Sequence, residues 1–485
     1  MDIFFSSSYL IQLVILSISL LLIIFTIYKH KSPSRPKLPP GRRGWPIVGE
    51  TLEYGRACKS GEPEKFIIDR MSNYSTDVFQ TSLFGENLLV FCGASGNKFM
   101  FSSANKHVTP WWPRSISAAL NFPSDMGFLQ DDLTKLRAML PEFLKPEALQ
   151  RYIPIMDSMA KEHLEIAWSP YNEVKVLPLT KEYTIAVACR VFINIKNLEH
   201  ITRFANLFGL LTKGILSAPI KLPGTAFSRA VREGKLLHEE FLAIIREKKM
   251  ELLEKKGPAK EDLLSRMLLM ADENDRGMNE KLIASQMIGF FIGSYITTSS
   301  TITSMLRYLA EFPNVYSKVL KEQMEIAKSK GPGELLSWED IQKMKYSWNV
   351  TCEVMRLAPP IQGAYREVTT EFTYAGSIIP KGWKAYWTVA STHKNPKYFP
   401  EPEKFDPSRF EGRGPAPYTF VPFGGGPHMC PGKEYSRLEI LTFIHNVVTK
   451  FKWEKLNPDE KIIFNPAPSP VNGLPVRLEP LIFKN

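Results

Sequence analysis

The residues from Tyr9 to Tyr28 (YLIQLVILSISLLLIIFTIY) form an apolar run of roughly twenty, long enough to cross a bilayer as a helix. Leu38-Pro39-Pro40-Gly41-Arg42-Arg43-Gly44-Trp45-Pro46 follows. Its prolines fix φ and remove donors, which predicts a stiff, non-helical hinge. Short strand-like runs come next, such as Asn87–Phe91 (NLLVF). From about Leu133 to Lys330 the pattern is mostly helical, punctuated by Pro141, Pro146, Pro219, Pro223 and Pro313. Within it, Gln286 to Phe312 reads as one long apolar helix stopped by Pro313. Another helix carries Glu353-Val354-Met355-Arg356 and ends before Pro359-Pro360. Beyond that point the chain breaks into short strands and loops, then returns to a helix from Pro431 to about Lys450. The class is mainly α with a small β part.

The 485 residues, 44% of them hydrophobic, are enough for a large core. No Gly/Ser linker, low-complexity tract or internal repeat divides them. The expected organisation is a membrane anchor over 1–31, a proline-rich hinge over 32–46 and one large catalytic domain over 47–485. Lys29, His30 and Lys31 follow the apolar run, and no Lys or Arg precedes it. The positive-inside rule then puts the N-terminus in the lumen and the rest of the chain in the cytosol. A cleaved signal peptide would have a shorter apolar core and a basic segment before it. The five cysteines, Cys58, Cys92, Cys189, Cys352 and Cys430, are widely spaced and form no CxxC or Cys/His cluster. That argues against zinc and fits a reduced, cytosol-facing domain. The net charge of +11 suits an anionic leaflet and an acidic electron donor. Basic residues are dispersed among acids with no nucleic-acid-binding motif, so nucleic acid is not an expected partner.

The chemistry concentrates in Phe423-Gly424-Gly425-Gly426-Pro427-His428-Met429-Cys430-Pro431-Gly432. A lone Cys among glycines suits holding haem iron by a thiolate, because glycine lets the backbone run close to a flat macrocycle. Backbone N–H groups in a tight turn can point at the sulfur and tune it. A thiolate donates electron density to iron and favours O–O cleavage. The segment resembles the haem-binding signature of cytochromes P-450, with Phe423 and Gly432 in their places around Cys430. The resemblance implies that fold behind the anchor, with haem b as cofactor. It also implies O2 as co-substrate and electrons from NADPH through a separate reductase. It further implies a single-pass protein of the endoplasmic reticulum membrane.

Ile292-Gly293-Ser294-Tyr295-Ile296-Thr297-Thr298-Ser299-Ser300 lies in the middle of the long apolar helix. Glycine and hydroxyl residues there weaken the helix by propensity. Gly293 and Thr297, four apart, share a face. In the resembled family a small residue here leaves room for dioxygen and a threonine hydroxyl helps deliver protons, which makes Thr297, Gly293 and Ser294 the candidate catalytic positions. The family pattern puts an acid immediately before the threonine, and here that position is Ile296. Ile relays no proton, so water chains or the hydroxyls of Ser294 and Thr298 would have to serve. A threonine in a helix also back-bonds to a carbonyl one turn earlier.

Glu353 and Arg356 look like the family's ExxR pair, and Phe405-Asp406-Pro407-Ser408-Arg409-Phe410 supplies the expected second arginine, Arg409. A planar guanidinium can hold a buried carboxylate by two bonds. The three residues are expected to form a scaffold. Haem propionates need cations, and the resemblance suggests His428, Arg366 and Arg137. The family usually has Arg two residues before the Cys, whereas His428 is only partly charged near neutral pH.

Trp111-Trp112-Pro113-Arg114-Ser115, Glu142–Leu149 (EFLKPEAL), Val319–Glu325 (VLKEQME), Tyr418–Phe423 (YTFVPF) and Asn472–Val476 (NGLPV) look like the triterpenoid-oxidising branch of plant enzymes. That branch includes β-amyrin 28-oxidases, and it implies a large, flat, apolar terpenoid substrate. The candidate pocket wall is Trp111, Trp112, Leu210, Phe290, Ile361, Ala364 and Ser469. Phe204 to Phe227 would form a lid that dips toward the membrane. Two alternatives stay open: a steroid, brassinosteroid or taxane-type diterpenoid hydroxylase on the same frame, and a degenerate haem protein whose Ile296 and His428 impair oxygen activation.

Overall fold

The computed structural model describes residues 12–24, 38–45, 48–104, 106–121, 140, 143–215, 217, 219–254, 262–273 and 279–481. An exposed apolar helix, α1 (Gln12–Ile24), comes first. The remaining residues of the predicted anchor, residues 32–37 of the hinge and Pro46 lie outside the described residues. The rest of the hinge is docked rather than free: Gln80 N–H donates to Pro40 O at 2.8 Å, and Arg42 pairs with Glu50 and Glu53.

A five-stranded sheet is built from β1 (Val78–Leu83), β2 (Glu86–Phe91), β3 (Val108–Pro110), β4 (Gly363–Val368) and β5 (Lys384–Thr388). Its spatial order is β1-β2-β5-β4-β3, with β2 and β5 parallel and the other neighbours antiparallel. Helix α2 (Gly93–Ser102) follows β2. Three small sheets of two or three strands account for the other described strands.

The helical body contains α3 (Pro146–Ala167), α4 (Val176–Phe192), α5 (Leu198–Gly214), α6 (Ala226–Leu253), α7 (Glu280–Glu311), α8 (Pro313–Lys328), α9 (Lys345–Leu357) and α10 (Lys433–Lys450). Proline sits in the first turn of α3 and α8, where its missing N–H costs nothing. Asn197, Thr225 and Asn279 cap α5, α6 and α7 through side-chain oxygens. The cap at Asn279 starts α7 at Glu280, earlier than the predicted Gln286, because the polar first turn still forms a helix. Pro313 stops α7 and opens α8, as the pattern predicts.

Helix α7 is the axle of the body and packs against α4, α6, α9 and α10. It is long and apolar enough to cross a membrane, yet most of its apolar stretch is buried inside the protein. Phe291 on α7 meets Phe192, Phe204, Phe208 and Phe241 with ring centroids 5.3–5.8 Å apart. Each such ring pair adds about 0.5–1.5 kcal/mol beyond area burial. Of the predicted lid, Phe204, Phe208, Leu211 and Phe227 are buried, while Leu210, Ile220 and Leu222 are exposed. Helix α10 is held to α3 by buried Asp157, which accepts from Asn446 Nδ2 at 2.7 Å and from Leu336 N–H at 3.0 Å.

Two histidines in this core are kept neutral. Burial pushes His445 down to about 4, and its Nδ1 lies 2.8 Å from Gln323 Oε1. Burial, helped by the Arg356 charge, pushes His393 down to about 3. An unfolded histidine titrates near about 6.5. Below that pH the unfolded chain binds more protons than the folded one. This contribution to stability is therefore complete above about pH 6.5 and is lost as pH falls toward the folded values. Urea unfolding midpoints should fall between pH 7.5 and pH 5, and H445Q, which has no proton to gain, should show a flatter dependence.

Candidate active site

The loop from Phe423 to Cys430 closes on itself. Cys430 N–H donates to Phe423 O at 2.8 Å, Met429 N–H to Gly426 O at 3.0 Å and Gly424 N–H to Val421 O at 3.0 Å. Gly426 has φ +65°, and a Cβ there would lie 2.3 Å from Phe101 O, so only glycine lets the loop seat on α2. Cys430 is exposed. A Cβ on Gly432, the residue before α10, would stand 3.9 Å from Cys430 Sγ, which places the sulfur at the N-terminal end of that helix. A helix N-terminus favours an anionic sulfur. Phe423 and His428 are half-buried in the same loop.

Helix α7 is buried along most of its length, but one row of it is not. Gly289 and Gly293 would meet no atom within 4 Å if they carried a Cβ, and Gly293 is exposed in mid-helix. Thr297, one turn further on, lies on the same row. Its hydroxyl donates to Gly293 O at 2.6 Å, the back-bond of a helical threonine. Ser294 is not on this row: it is buried and donates to Phe291 O at 3.1 Å. Ile296 and Thr298 are buried as well. Among the described residues, Thr298 Oγ1 has no hydrogen-bond partner.

Behind the loop, Glu353 and Arg356 have no exposure. Arg356 donates to both carboxylate oxygens of Glu353, at 2.7 and 2.8 Å. Its remaining N–H groups reach His393 O at 2.8 Å, Pro402 O at 2.7 Å and Lys404 O at 3.1 Å. Glu353 also accepts from Asp406 N–H at 2.8 Å, and Arg409 lies 3.5 Å from it. The three predicted charges therefore come together. His393 joins them and was missed in the sequence, where a single histidine carries no spacing signal. Its Nε2 accepts from Val421 N–H at 3.0 Å and so ties this network to the start of the Cys430 loop.

The other predicted positions lie on several different segments. Arg366 on β4 is buried and donates to Tyr365 O at 2.8 Å. Arg137 lies outside the described residues. Trp111 meets Tyr365 edge-on at 5.9 Å with Lys384 over its ring. Trp112, Leu210 and Ile361 are exposed. Phe290 and Ala364 are half-buried, and Ser469 donates to Ala467 O at 3.1 Å. Gly293 and Thr297 share one row of α7, and the seven candidate pocket residues come from separate segments of the chain.

The cytochrome P450 family model matches residues 39–475. The chain belongs to the cytochrome P450 family. It is a monooxygenase that uses haem b, NADPH-derived electrons and O2. Such enzymes depend on a redox partner and act on hydrophobic substrates. A β-amyrin 28-monooxygenase of Vitis vinifera is 55% identical over 482 residues, covering 99% of each chain. A β-amyrin 6-beta-monooxygenase of Solanum lycopersicum is 53% identical, covering 94% of this chain and 96% of its own. The solved structure of retinoic acid-bound cyanobacterial CYP120A1 superposes with a TM-score of 0.80 at 30% identity, covering 92% of this chain and all of that one. The residues present fit haem: an accessible sulfur stands at a helix N-terminus, Gly289 and Gly293 leave room along one row of α7, and a buried arginine stands on the sheet.

Removing Glu353 strands the Arg356 guanidinium without its counter-charge. The E353A protein is expected to lose about 3–5 kcal/mol of stability. Urea unfolding, together with the yield of the reduced carbon-monoxide band, measures this.

Proposed function

We propose that the chain oxidises a pentacyclic triterpene of the β-amyrin type, at the C-28 methyl carbon, in triterpenoid biosynthesis. The observation that carries this reading is the near-complete coverage of a β-amyrin 28-monooxygenase at 55% identity. β-Amyrin 28-monooxygenases of Medicago truncatula and Kalopanax septemlobus, 52% and 53% identical, support the same position. The 6-beta relative favours a second reading, ring hydroxylation at C-6, since a family frame fixes reaction class better than regiochemistry.

In this reading Cys430 would hold the haem iron by its thiolate, and Arg366, His428 and Arg137 would take the propionates. Bound haem supplies the oxygen-activating chemistry. Gly293 would leave room beside α7 for dioxygen, and the Thr297 hydroxyl would hold a proton donor there. Thr297 can turn from Gly293 O toward a bound molecule without breaking the helix. Ile296 contributes no proton, so water must bring protons to Thr297. Glu353, Arg356 and Arg409 hold the loop. Trp111, Trp112, Leu210, Phe290, Ile361, Ala364 and Ser469 are the proposed wall of the substrate pocket. Residues 1–31 anchor the protein in the endoplasmic reticulum with the catalytic domain in the cytosol, and the exposure of every residue in α1 supports that. The electron donor is an NADPH-dependent reductase.

Yeast making β-amyrin, with a plant reductase and this protein, should accumulate oxygenated triterpenes visible by mass spectrometry. Products bearing the alcohol or acid at C-28 are expected. Products at C-6 would move the assignment to the second reading, and no triterpene product beside a normal haem-thiolate spectrum would sink the substrate class.

In the same cells T297A should lower product by at least about tenfold, since proton delivery contributes about 10²–10⁴ in rate. I296D should raise product formed per NADPH consumed; an unchanged ratio would show that protons already arrive without the acid.

A further inference from the structure

The pairing of β4 with β5 sorts their side chains onto two faces. Ala364 faces Trp387, Tyr365 faces Tyr386 and Arg366 faces Ala385 across the ladder. Opposed residues share a side and neighbours alternate. Ala364, Arg366, Ala385 and Trp387 therefore stand on one face, and the two tyrosines on the other. The first face is the one the Cys430 loop packs on. Trp387 is 5% exposed and meets Phe101 edge-on at 5.3 Å. A Cβ on Gly424 would lie 3.2 Å from Cζ2 of Trp387. Gly424 has φ +69°, and its lack of a side chain lets the loop lie against the indole.

Cζ2 is on the N–H edge of the indole, so that edge adjoins the loop. Yet Trp387 Nε1 has no acceptor within hydrogen-bond distance among the described residues. Buried indole N–H groups normally find one. Trp453 does, donating to Leu306 O at 2.9 Å. Trp168 is a second buried indole without an acceptor, but its neighbours are Phe443 and Phe451. Trp387 alone of these three combines an unmet donor with the loop that carries Cys430. It also shares its face with the buried Arg366 guanidinium. A neutral donor and a cation on one face make a seat for a carboxylate. The cofactor of this family brings two.

We infer that the Trp387 indole N–H is a donor to a haem propionate, on the same sheet face as Arg366. The inference rests on the reading of Phe423–Cys430 as the haem seat. It gives that carboxylate a second fixed partner in a chain that has His428 where arginine is usual. Trp387 binds and positions the cofactor and takes no part in the oxidation.

The test compares wild-type and W387F holoprotein. W387F should keep the reduced carbon-monoxide band of a thiolate-ligated haem, lose haem to excess apomyoglobin about tenfold faster and shift the propionate bending band in the resonance Raman spectrum. An unshifted propionate band overturns the inference, whether haem loss is faster, from lost packing, or unchanged. Should W387F fail to accumulate, a crystal structure of the wild-type holoprotein decides. Nε1 within about 3.2 Å of a haem carboxylate oxygen supports the inference; Nε1 bonded to a loop carbonyl or a water overturns it. Absence of the thiolate band in the wild type would instead remove the assignment of Cys430, a separate failure.

Discussion

A carboxylate and a guanidinium with no exposure to water hold the region behind the Cys430 loop in one arrangement. Burying both charges is expensive, and attraction offsets that only when the remaining donors are satisfied. Arg356 meets the condition: it gives two bonds to Glu353 and three to backbone carbonyls of segments that have no regular structure to fix them. The loop over residues 393–410 is shaped by those bonds. His393, kept neutral by burial, passes the constraint to Val421 and so to the loop that ends at Cys430.

The second constraint is the close approach of that loop to α2 and β5. Its glycines let backbone lie against Phe101, where a side chain on Gly425 or Gly426 would collide, and close to Trp387, where one on Gly424 would be tight. The sulfur is thereby delivered to the start of α10, and α10 is locked to α3 through Asp157 and Asn446. Helix α7 complements this with Gly289 and Gly293, which leave room on the row that Thr297 shares. A helix buried along most of its length then has room beside it.

Two positions depart from the family pattern, Ile296 before Thr297 and His428 before Cys430. Ile296 is buried where the family has an acid, and its neighbours Ser294 and Thr298 are buried as well. The hydroxyls that could have replaced the acid thus lie off the open row. Thr297 remains on it, which narrows any proton route to that residue and water.

Local patterns in the sequence settled much of this protein. Pro313 marked a helix boundary, since it has no N–H to extend α7 and needs none in the first turn of α8. The Phe423–Gly432 segment was legible as a candidate haem loop through its resemblance to the family signature. Glu353 and Arg356 were legible because three residues of helix bring them to one side. The tertiary structure alone decided what depends on residues far apart in sequence. It brought His393 to Arg356 and Val421, set Trp387 against Gly424, and sent Ser294 away from the row that Thr297 occupies. Those outcomes follow from sheet register and helix rotation, which one buried face sets for a whole element at once. No single residue announces them.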